Sequence, residues 1–375
     1  MDDENIIARI YPAATTGSKN FAYRAIKSSR DYVAPSRRDD DEFSETESQD
    51  LDIVDDIPFI DIRFDNPPAS KLGITFGCSP KCHIQFPQMG RFSNYHFAVT
   101  FDDQGRLIVI DPGSTLGTQV TYDSQESGFR SDFRWIITGD ECVEKMDIIV
   151  HAHPHLMTFR IVPFEHEGLS RSYLDKIKTF KQGTATGEDL IEDMDLNVPL
   201  TEAASASHRL AQGPFYLKKV VGSGGFGVVI RCFNVSDGCR HALKELSEEK
   251  IRICSIDPVE RSRMFKIWRR EVEVMERLSH LKLEFMPHGC LTFLTDLKVT
   301  ETKQVAIQSL SALVYLHAQG LAHRDISTNN ILVKTRHPLH IVLADFGLSK
   351  DAMELITKCG TERFSAPEIF DPDYN

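Results

Sequence analysis

Two aspartates and one asparagine near the C-terminal end of the chain could act together. Asp325 follows His323 and Arg324, Asn330 lies five residues past Asp325, and Asp345 opens an Asp-Phe-Gly tripeptide twenty residues past Asp325. One carboxylate can accept the proton of a hydroxyl group. The other carboxylate and the amide oxygen can hold divalent metal ions on nucleotide phosphates. The spacing therefore predicts phosphoryl transfer.

A glycine-rich segment upstream predicts a phosphate-binding turn. Glycine permits a tight turn and lets backbone N–H groups approach phosphate oxygens, because it has no Cβ atom. A plain turn or a dinucleotide-binding fold would also fit this segment alone, but apolar flanks on both sides favour strand, turn and strand. The segment is Val221-Gly222-Ser223-Gly224-Gly225-Phe226-Gly227-Val228-Val229.

A lysine and a helix are expected to complete the phosphate site. Lys244 lies seventeen residues past Gly227 in an apolar strand, which suits the α- and β-phosphates; the alternative is a surface lysine on an edge strand. A helix is predicted over Pro258 to Leu281. Glu271 in that helix could pair with Lys244, and Glu273 is the next candidate. The apolar residues at helical spacing are Met264, Phe265, Trp268, Val272, Met275 and Leu278.

A second helix should deliver the chain to His323. It is predicted from about Thr300 to Gln319, with Gly320 as its stop signal. The residues expected to face inward are Val305, Leu310, Leu313, Val314 and Leu316.

These residues, with Cys359-Gly360-Thr361 and Ala366-Pro367-Glu368 further on, resemble the eukaryotic protein kinase family over roughly 214–375. The resemblance implies an α+β fold with a β-rich small lobe, a helical large lobe and ATP at a hinge, Glu284 to Met286. It implies magnesium as the metal. The roles that it assigns are a catalytic base for Asp325, a phosphate lysine for Lys244, and magnesium ligands for Asn330 and Asp345.

The activation segment points to serine/threonine kinases. The motif Gly-Thr-x-x-Phe-x-Ala-Pro-Glu is similar to that of serine/threonine kinases, and Thr361 is its threonine. Arg324 beside Asp325 suggests control by phosphorylation, and Thr357 stands where the family carries its phosphothreonine. A phosphate there would give Arg324 a partner and order the loop. The alternative is an ordinary loop threonine.

Three departures from the kinase pattern predict an impaired copy. The chain ends at Asn375, so we expect an incomplete large lobe. Only twelve residues separate Glu271 from Glu284, an interval in which the family carries two strands; Leu281 to Leu283 could be a remnant, and the strand of Lys244 would have an open edge. Ser327 replaces a lysine that touches the transferring phosphate. We interpret the chain as a shortened kinase copy, consistent with a misjoined gene model.

A second module is predicted over 57–164, where short apolar runs alternate with turn signals, as in a β-sandwich. Its motifs resemble the forkhead-associated (FHA) domain, which binds phosphothreonine peptides. They are Phe76-Gly77, Ser93-x-x-His96 and Asp111-x-x-Ser114-x-x-Gly117-Thr118.

The phosphopeptide site of this module is incomplete. Ser93 can donate a hydrogen bond to phosphate, and His96 is expected to brace the loop from inside. Cys78 replaces the arginine and Leu116 the asparagine that the resemblance implies, although nearby cations could substitute for the arginine. Without recognition, the sandwich would serve dimer contacts or intramolecular packing. The substitute cations are Arg91 and Lys81.

Composition limits the partners and the setting. The formal net charge of −12 disfavours nonspecific nucleic-acid binding, and ten acids without a base lie between 39 and 56. We expect 1–56 to be a disordered acidic segment and 165–213 a linker with a short helix near 169–180. The eight scattered cysteines favour reduced thiols in nucleus or cytoplasm. No apolar run is long enough to span a membrane.

Two functions follow from the sequence. The first is a serine/threonine kinase that transfers the γ-phosphate of ATP to proteins. Its FHA module would bind phosphothreonine proteins or support a homodimer, a layout similar to DNA-damage checkpoint kinases. The second is a catalytically impaired fragment that acts as a binding adaptor.

Overall fold

The computed structural model describes residues 3–13, 21–34, 57–88, 92–153, 156–164, 166, 170–183, 210–224, 227–278, 284–346, 350–351 and 361–365. The chain divides into two compact units. The first comprises Met1–Leu217 and Phe233–Cys239, and the second comprises Lys218–Cys232 and Arg240–Asn375. None of the helices in the described residues has the length and apolarity needed to cross a membrane.

The first unit is a β-sandwich, as predicted. Phe76 and Phe97 of one sheet stack on each other and lie 5.3 and 6.0 Å, between ring centroids, from Phe159 of the other sheet. Its strands are β1 (Ile6–Pro12), β2 (Tyr32–Val33), β3 (Phe59–Arg63), β4 (Ile74–Gly77), β5 (Ile84–Gln85), β6 (Phe97–Phe101), β7 (Leu107–Asp111), β8 (Gln119–Tyr122), β9 (Phe133–Ile136), β10 (Ile148–His153) and β11 (Met157–Pro163). The two sheets have the orders β2-β3-β1-β11-β10-β8 and β5-β4-β6-β7-β9.

The expectation that 1–56 is disordered is wrong for the part of this segment that is described. β1 pairs with both β3 and β11, so it is an inner strand of the six-stranded sheet. Ile10 is fully buried, and a helix α1 (Phe21–Lys27) covers the sheet with Ile26. The acidic run over 39–56, which suggested disorder, lies outside the described residues. The sandwich therefore begins well before residue 57.

The predicted linker also contributes to the sandwich. Helix α2 (Arg171–Gln182) begins after Ser170, whose side chain accepts a hydrogen bond from the backbone N–H of Tyr173. Ile177 and Phe180 are buried in the same core as the strands. The short helix expected near this position is present, but it belongs to the folded unit.

The remaining elements surround the predicted phosphoryl-transfer residues. A three-stranded sheet has the order β12-β13-β14, and two-stranded sheets join β15 with β18 and β16 with β17. These strands are β12 (Tyr216–Gly224), β13 (Gly227–Asn234), β14 (Arg240–Glu245), β15 (Leu321–Ala322), β16 (Ile331–Arg336), β17 (Leu339–Leu343) and β18 (Lys350–Asp351). The helices are α3 (Glu248–Ile256), α4 (Pro258–Arg277) and α5 (Val299–Ala318).

Helix α4 begins where the sequence predicted. The carboxylate of Asp257 accepts hydrogen bonds from backbone N–H groups of the first turn. Proline suits the first helical position, because its missing N–H would have no partner within the helix. The helix ends at Arg277, and 279–283 lie outside the described residues. Its buried positions include Glu271 and Val274, whereas Phe265 is 70% exposed.

Helix α5 buries a narrower face than predicted. Val305 and Leu316 are buried, whereas Leu310 and Val314 are 63% and 69% exposed. The expected inward orientation of Leu310 and Val314 is therefore wrong. At about 100° per residue, Val314 lies on the side of the helix opposite Val305, so one packing face cannot hold both.

We predict that β1 is essential to the stability of the sandwich. Ile10→Ala should lower the free energy of unfolding by about 2–5 kcal/mol, because it leaves a cavity in a closed core. Val162→Ala on the adjacent strand is the matched control, since Val162 is 39% exposed. Urea unfolding can be followed through buried Trp135 in a Trp268→Phe background, which leaves one tryptophan. Equal small losses for both variants would contradict the assignment of β1 to the core.

Candidate functional site

A charge cluster joins three elements of the second unit. Lys244 lies on β14, Glu271 on α4, and Asp345 directly after β17. The ammonium Nζ of Lys244 is 3.2 Å from both carboxylate oxygens of Glu271 and 3.0 Å from Oδ1 of Asp345. Glu273, the other candidate, pairs with Arg269 at 3.3 Å instead. The register that the sequence left open places Glu271 at the lysine.

The pKa values of Lys244 and Glu271 are both raised, but for different reasons. Burial disfavours the ammonium of Lys244, but the carboxylates of Asp345 and Glu271 outweigh it, so the pKa of Lys244 is raised. Burial raises the pKa of Glu271, Lys244 opposes that rise, and the negative charge of Asp345 adds to it. Lys244 therefore stays charged and is available to phosphate oxygens, while Glu271 and Asp345 compete for it.

Asp325, Asn330 and Asp345 come together at the ends of two strands. The side-chain amide of Asn330 donates to the backbone carbonyl and to Oδ2 of Asp325, both at 2.9 Å. The backbone N–H of Ala344 donates to the carbonyl of Asn330 at 2.9 Å, which ties the segment of Asp345 to the loop of Asp325. The three groups that sequence analysis singled out therefore form one site.

A buried histidine holds this loop in place. Nε2 of His323 lies 3.1 Å from the carbonyl of Ala344, and the ring packs against Phe346 with centroids 5.1 Å apart. Arg324 and Asp345 both have left-handed backbone conformations, with φ of 68° and 63°. Such conformations cost about 1–3 kcal/mol in non-glycine residues and concentrate at functional sites.

Thr361 holds the other carboxylate oxygen of Asp325, the candidate base. Its backbone N–H and its hydroxyl both donate to Oδ1 of Asp325, at 2.7 and 2.6 Å. The sequence motif places Thr361 only in the activation segment, because nothing in its spacing indicates this contact across 36 residues. Thr357, proposed as a phosphorylation site, lies outside the described residues.

Ser327 takes the position at which the family resemblance implies lysine. It is 2% exposed, and its hydroxyl has no hydrogen-bond partner among the described residues. Its carbonyl accepts the backbone N–H of Asn330 at 3.0 Å, so its backbone helps to close the loop. The side chain brings no charge to the site.

Strands flank the glycine-rich segment on both sides, as predicted. Its first part ends β12 and Gly227 begins β13, while Gly225 and Phe226 lie outside the described residues. Gly227 has φ of 145°, and a Cβ atom there would lie 2.1 Å from the carbonyl oxygen of Glu245. Only glycine fits this close approach to the end of β14.

The expected hinge connects β14 with the β16–β17 hairpin. Glu284 forms an isolated antiparallel bridge with His241 of β14, and its carboxylate lies 2.8 Å from Nζ of Lys334 on β16. The carbonyl of Met286 accepts the N–H of Gly289 in the following turn. Within the described residues β14 is the edge strand of its sheet, and the proposed remnant at 281–283 lies outside them.

The donor set of this site suits magnesium and a nucleotide. Magnesium prefers oxygen ligands, and Asp345 offers a carboxylate. The amide nitrogen of Asn330 is engaged by Asp325, which leaves its oxygen for a cation. Among the described residues no group of three or more His, Cys, Asp or Glu side chains is placed to hold a metal ion.

The predicted phosphopeptide site lies on loops of the sandwich. The hydroxyl of Ser93 accepts the backbone N–H of Thr115 at 3.0 Å and lies 3.5 Å from the Thr115 hydroxyl. Cys78 is 7% exposed and belongs to the hydrophobic core, so its side chain does not face a ligand. Lys81 is exposed, and Arg91 lies outside the described residues. Of the two cations that could replace the arginine, Lys81 is therefore the one that the structure describes.

His96 braces these loops from the interior, as expected. Nδ1 accepts the backbone N–H of Ser93, and Nε2 lies 3.2 Å from the carbonyl of Gly117. Burial lowers the pKa of His96 to about 4, although the carboxylate of Asp111 opposes this shift. His96 is therefore neutral at physiological pH, and it connects the loop of Ser93 with the loop of Gly117 through hydrogen bonds.

Asp111 organises the second loop. Its carboxylate accepts the backbone N–H of Gly113, the backbone N–H and hydroxyl of Ser114, and the hydroxyl of Thr118, at distances from 2.6 to 2.9 Å. The carboxylate is buried, and these four hydrogen bonds replace its lost water. The motif read from the sequence is thus a structural network that presents Thr115 beside Ser93.

Comparisons with known proteins identify both units. Residues 215–375 match the family model of the protein kinase domain, and residues 74–127 match that of the FHA domain. The chain therefore carries a protein kinase domain and an FHA domain. Protein kinase domains use ATP as the phosphate donor.

Several fungal and animal kinases are similar to this chain. Serine/threonine-protein kinase RAD53 of Saccharomyces cerevisiae is 26% identical over 325 residues, which cover 79% of this chain and 36% of RAD53. The kinase cds1 of Schizosaccharomyces pombe is 26% identical, covering 60% of this chain and 54% of its own length. The kinase chk-2 of Caenorhabditis elegans is 31% identical, covering 45% and 41%. The chain thus spans about half or less of these relatives.

One solved structure, Rad53 1–466 in complex with AMP-PNP, aligns with a TM-score of 0.49 and 20% identity. The alignment covers 97% of this chain and 76% of that one.

We predict that the FHA domain loses stability in mild acid through His96. The unfolded state binds a proton near pH 6.5, whereas the folded state resists it down to about pH 4. The free energy of unfolding should therefore be fully present above pH 6.5 and fall by about 3 kcal/mol as pH approaches 4. In His96→Gln the contribution of this residue should vanish, which urea unfolding at several pH values, followed through Trp135, would measure. Identical pH profiles for the two proteins would contradict the assignment.

Proposed function

We propose that this chain transfers the γ-phosphate of ATP to serine or threonine hydroxyls of protein substrates. The observation that carries the proposal is that hydrogen bonds join Asp325 to Asn330, and Asn330 to Ala344 beside Asp345, while Asp345 contacts Lys244. In this scheme Asp325 accepts the proton of the substrate hydroxyl. Lys244 orients the α- and β-phosphates, and Glu271 keeps Lys244 in place.

Magnesium would be held by Asp345 and Asn330 together with phosphate oxygens. When bound, it neutralises charge on the phosphates and favours attack by the hydroxyl. The cluster places the ammonium of Lys244 between Glu271 and Asp345, beside the carboxylate that would hold the metal. Both cofactors of the scheme, ATP and Mg²⁺, thus have side chains of suitable chemistry.

Hydrogen-bond capacity supports Asp325 as the base. A carboxylate offers about four acceptor positions, two on each oxygen. Thr361 takes both positions on Oδ1, and Asn330 takes one on Oδ2. Among the described residues one position on Oδ2 is left for a substrate hydroxyl. The contacts therefore orient Asp325 without blocking it.

We further propose that the FHA domain recruits phosphothreonine-containing proteins to the kinase domain. Ser93 and Thr115 supply hydroxyls at the loop surface, and Lys81 supplies a nearby cation. From the resemblance to DNA-damage checkpoint kinases, we favour checkpoint signalling in the nucleus or cytoplasm as the setting, with dimerisation through the FHA domain as its consequence. Direct binding of nucleic acid or membrane is not part of the proposal.

An adaptor without catalysis is the second candidate. It is favoured by the small-lobe sheet, in which β14 has one strand neighbour and a single bridge among the described residues. It is also favoured by Ser327, which adds no charge near the transferring phosphate. Such a protein would bind nucleotide or phosphopeptide and transfer nothing.

We predict that Asp325→Asn lowers phosphate transfer by about 10²–10⁴-fold with a smaller effect on nucleotide affinity, because the proton acceptor is lost whereas Lys244 and Asp345 are unchanged. Purified protein, labelled ATP, magnesium and a generic protein acceptor provide the assay. Asp296→Asn is the matched control, since Asp296 is an exposed aspartate of the same unit that pairs with Arg336. Binding of Mg-ATP without transfer by the unaltered chain would favour the adaptor, and equal labelling by both variants would exclude Asp325 as the base.

For the FHA domain, we predict that Ser93→Ala weakens binding of a phosphothreonine peptide about tenfold, because a hydroxyl donor to a charged phosphate is lost. Fluorescence anisotropy with phosphorylated and unphosphorylated peptides measures the difference. Ser28→Ala, at an exposed serine after α1, serves as control. Equal affinity of the unaltered chain for both peptides would count against phosphate recognition.

A further inference from the structure

A buried arginine of the first unit has no negatively charged partner. Arg130 is 3% exposed, and among the described residues no carboxylate pairs with its guanidinium. Burial lowers the pKa of Arg130, and no charge of the described residues opposes this shift. Its Nε atom is buried and has no hydrogen-bond partner among the described residues. A buried cation without an anion is costly, so the position is suited to bind one.

Neutral groups surround the guanidinium instead. Nη1 donates to the backbone carbonyl of Gly213, and Nη2 donates to the hydroxyl of Ser127 at 2.6 Å. The guanidinium carbon lies 4.7 Å from the centroid of the Phe133 ring. Arginine has five N–H donors, and these two hydrogen bonds leave most of them for a ligand with several acceptor oxygens.

A short segment of the same unit lies over this arginine, and we call residues 210–213 the cover segment. The backbone N–H of Ala211 donates to the carbonyl of Phe129 at 2.8 Å. A Cβ atom on Gly117 would lie 2.7 Å from Cδ2 of Leu210, so glycine makes room for the leucine. The cover segment thus packs on the loops that flank Arg130.

The cover segment can leave Arg130 without breaking a strand. It precedes β12, belongs to no helix or strand, and its Gly213 is exposed. Gly213 has φ of 79°, and a Cβ atom there would meet nothing within 4 Å. Phe215 follows in the hydrophobic core of the sandwich. A displaced cover segment would therefore stay tethered beside the site.

We propose that Arg130 is the cation of a phosphate-binding site that the cover segment closes. Arginine binds phosphate through two parallel hydrogen bonds, so replacing the neutral carbonyl of Gly213 adds an ion pair where the anion is lacking. The hydroxyl of Ser127 accepts from Arg130 and keeps its own proton to donate to the phosphate. Phosphate and the cover segment therefore exclude each other.

The ligand class is a phosphate group, either free or carried by a protein side chain. A phosphate bears more charge and more acceptor oxygens than a carboxylate, which suits the unused donors of Arg130. This site is separate from the loop of Ser93, and the inference rests neither on phosphate transfer nor on phosphothreonine recognition there.

Hydrogen exchange of the Ala211 amide in the full-length chain measures the opening of the cover segment. Inorganic phosphate should accelerate this exchange about tenfold, whereas sodium chloride and sodium acetate at the same ionic strength should leave it unchanged. The amides of β6 serve as the internal reference. Ser93→Ala should retain the response to phosphate. A response to a phosphoserine peptide, absent with its unphosphorylated form, assigns a protein as the source, and a response to inorganic phosphate alone assigns free phosphate.

Two variants act on the two sides of the contact. Arg130→Gln should make exchange at Ala211 fast and independent of phosphate, because the hydrogen bond to the cover segment and the cation are both lost. Gly213→Ala strains the left-handed backbone of the cover segment and should raise the affinity for phosphate severalfold. Arg160→Gln is the control, because Arg160 is a half-exposed arginine on β11 that pairs with Asp147. Fluorescence of Trp135 in the Trp268→Phe background verifies that the sandwich stays folded.

The outcomes that would overturn the inference are distinct from those that test the proposed function. Equal responses to phosphate and to chloride or acetate would overturn it, and so would a phosphate response that persists in Arg130→Gln. If Arg130→Gln fails to fold, an absent phosphate response in Gly213→Ala would overturn it as well. Loss of the response in Ser93→Ala would assign the phosphate to the FHA loops and exclude a separate site at Arg130.

Discussion

The ammonium of Lys244 between the carboxylates of Glu271 and Asp345 is the interaction on which the second unit depends. It joins a strand, a helix and the segment after β17, three parts of the chain separated by 27 and 101 residues. Removing one partner of a largely buried ion pair leaves an uncompensated charge, which costs about 3–5 kcal/mol. The cluster therefore acts as an alignment device, and the hydrogen bonds among Asp325, Asn330 and Ala344 extend that alignment to the candidate base.

The FHA domain uses a different solution to the same problem of placing polar groups precisely. Buried Asp111 and His96 satisfy their hydrogen bonds within the loops, so Ser93 and Thr115 are presented without being buried themselves. Cys78 lies in the core, and an arginine at that position would have to leave it to reach a phosphate. Any phosphate recognition therefore has to recruit its cation from an exposed position such as Lys81.

Much of the kinase site could be predicted from the sequence, because its spacing reflects local chemistry. Asp325 and Asn330 are five residues apart on one loop. Gly227 indicates a turn, and Pro258 indicates the start of a helix. Thr361 could not be predicted, since its bond to Asp325 depends on tertiary folding. Leu310 and Val314 were misassigned because apolarity alone does not distinguish the two faces of α5. The strand β1 was missed because the acidic run after it dominated the composition of the first 56 residues.

The central claim is that these side chains gather a metal ion around a nucleotide, and calorimetric titration tests it most directly. ATP should bind the unaltered chain tightly with magnesium and at least tenfold more weakly without it. Asp345→Asn should remove that dependence on magnesium, while Asp296→Asn should retain it. Equal affinity with and without magnesium, or a magnesium dependence that survives in Asp345→Asn, would contradict the account.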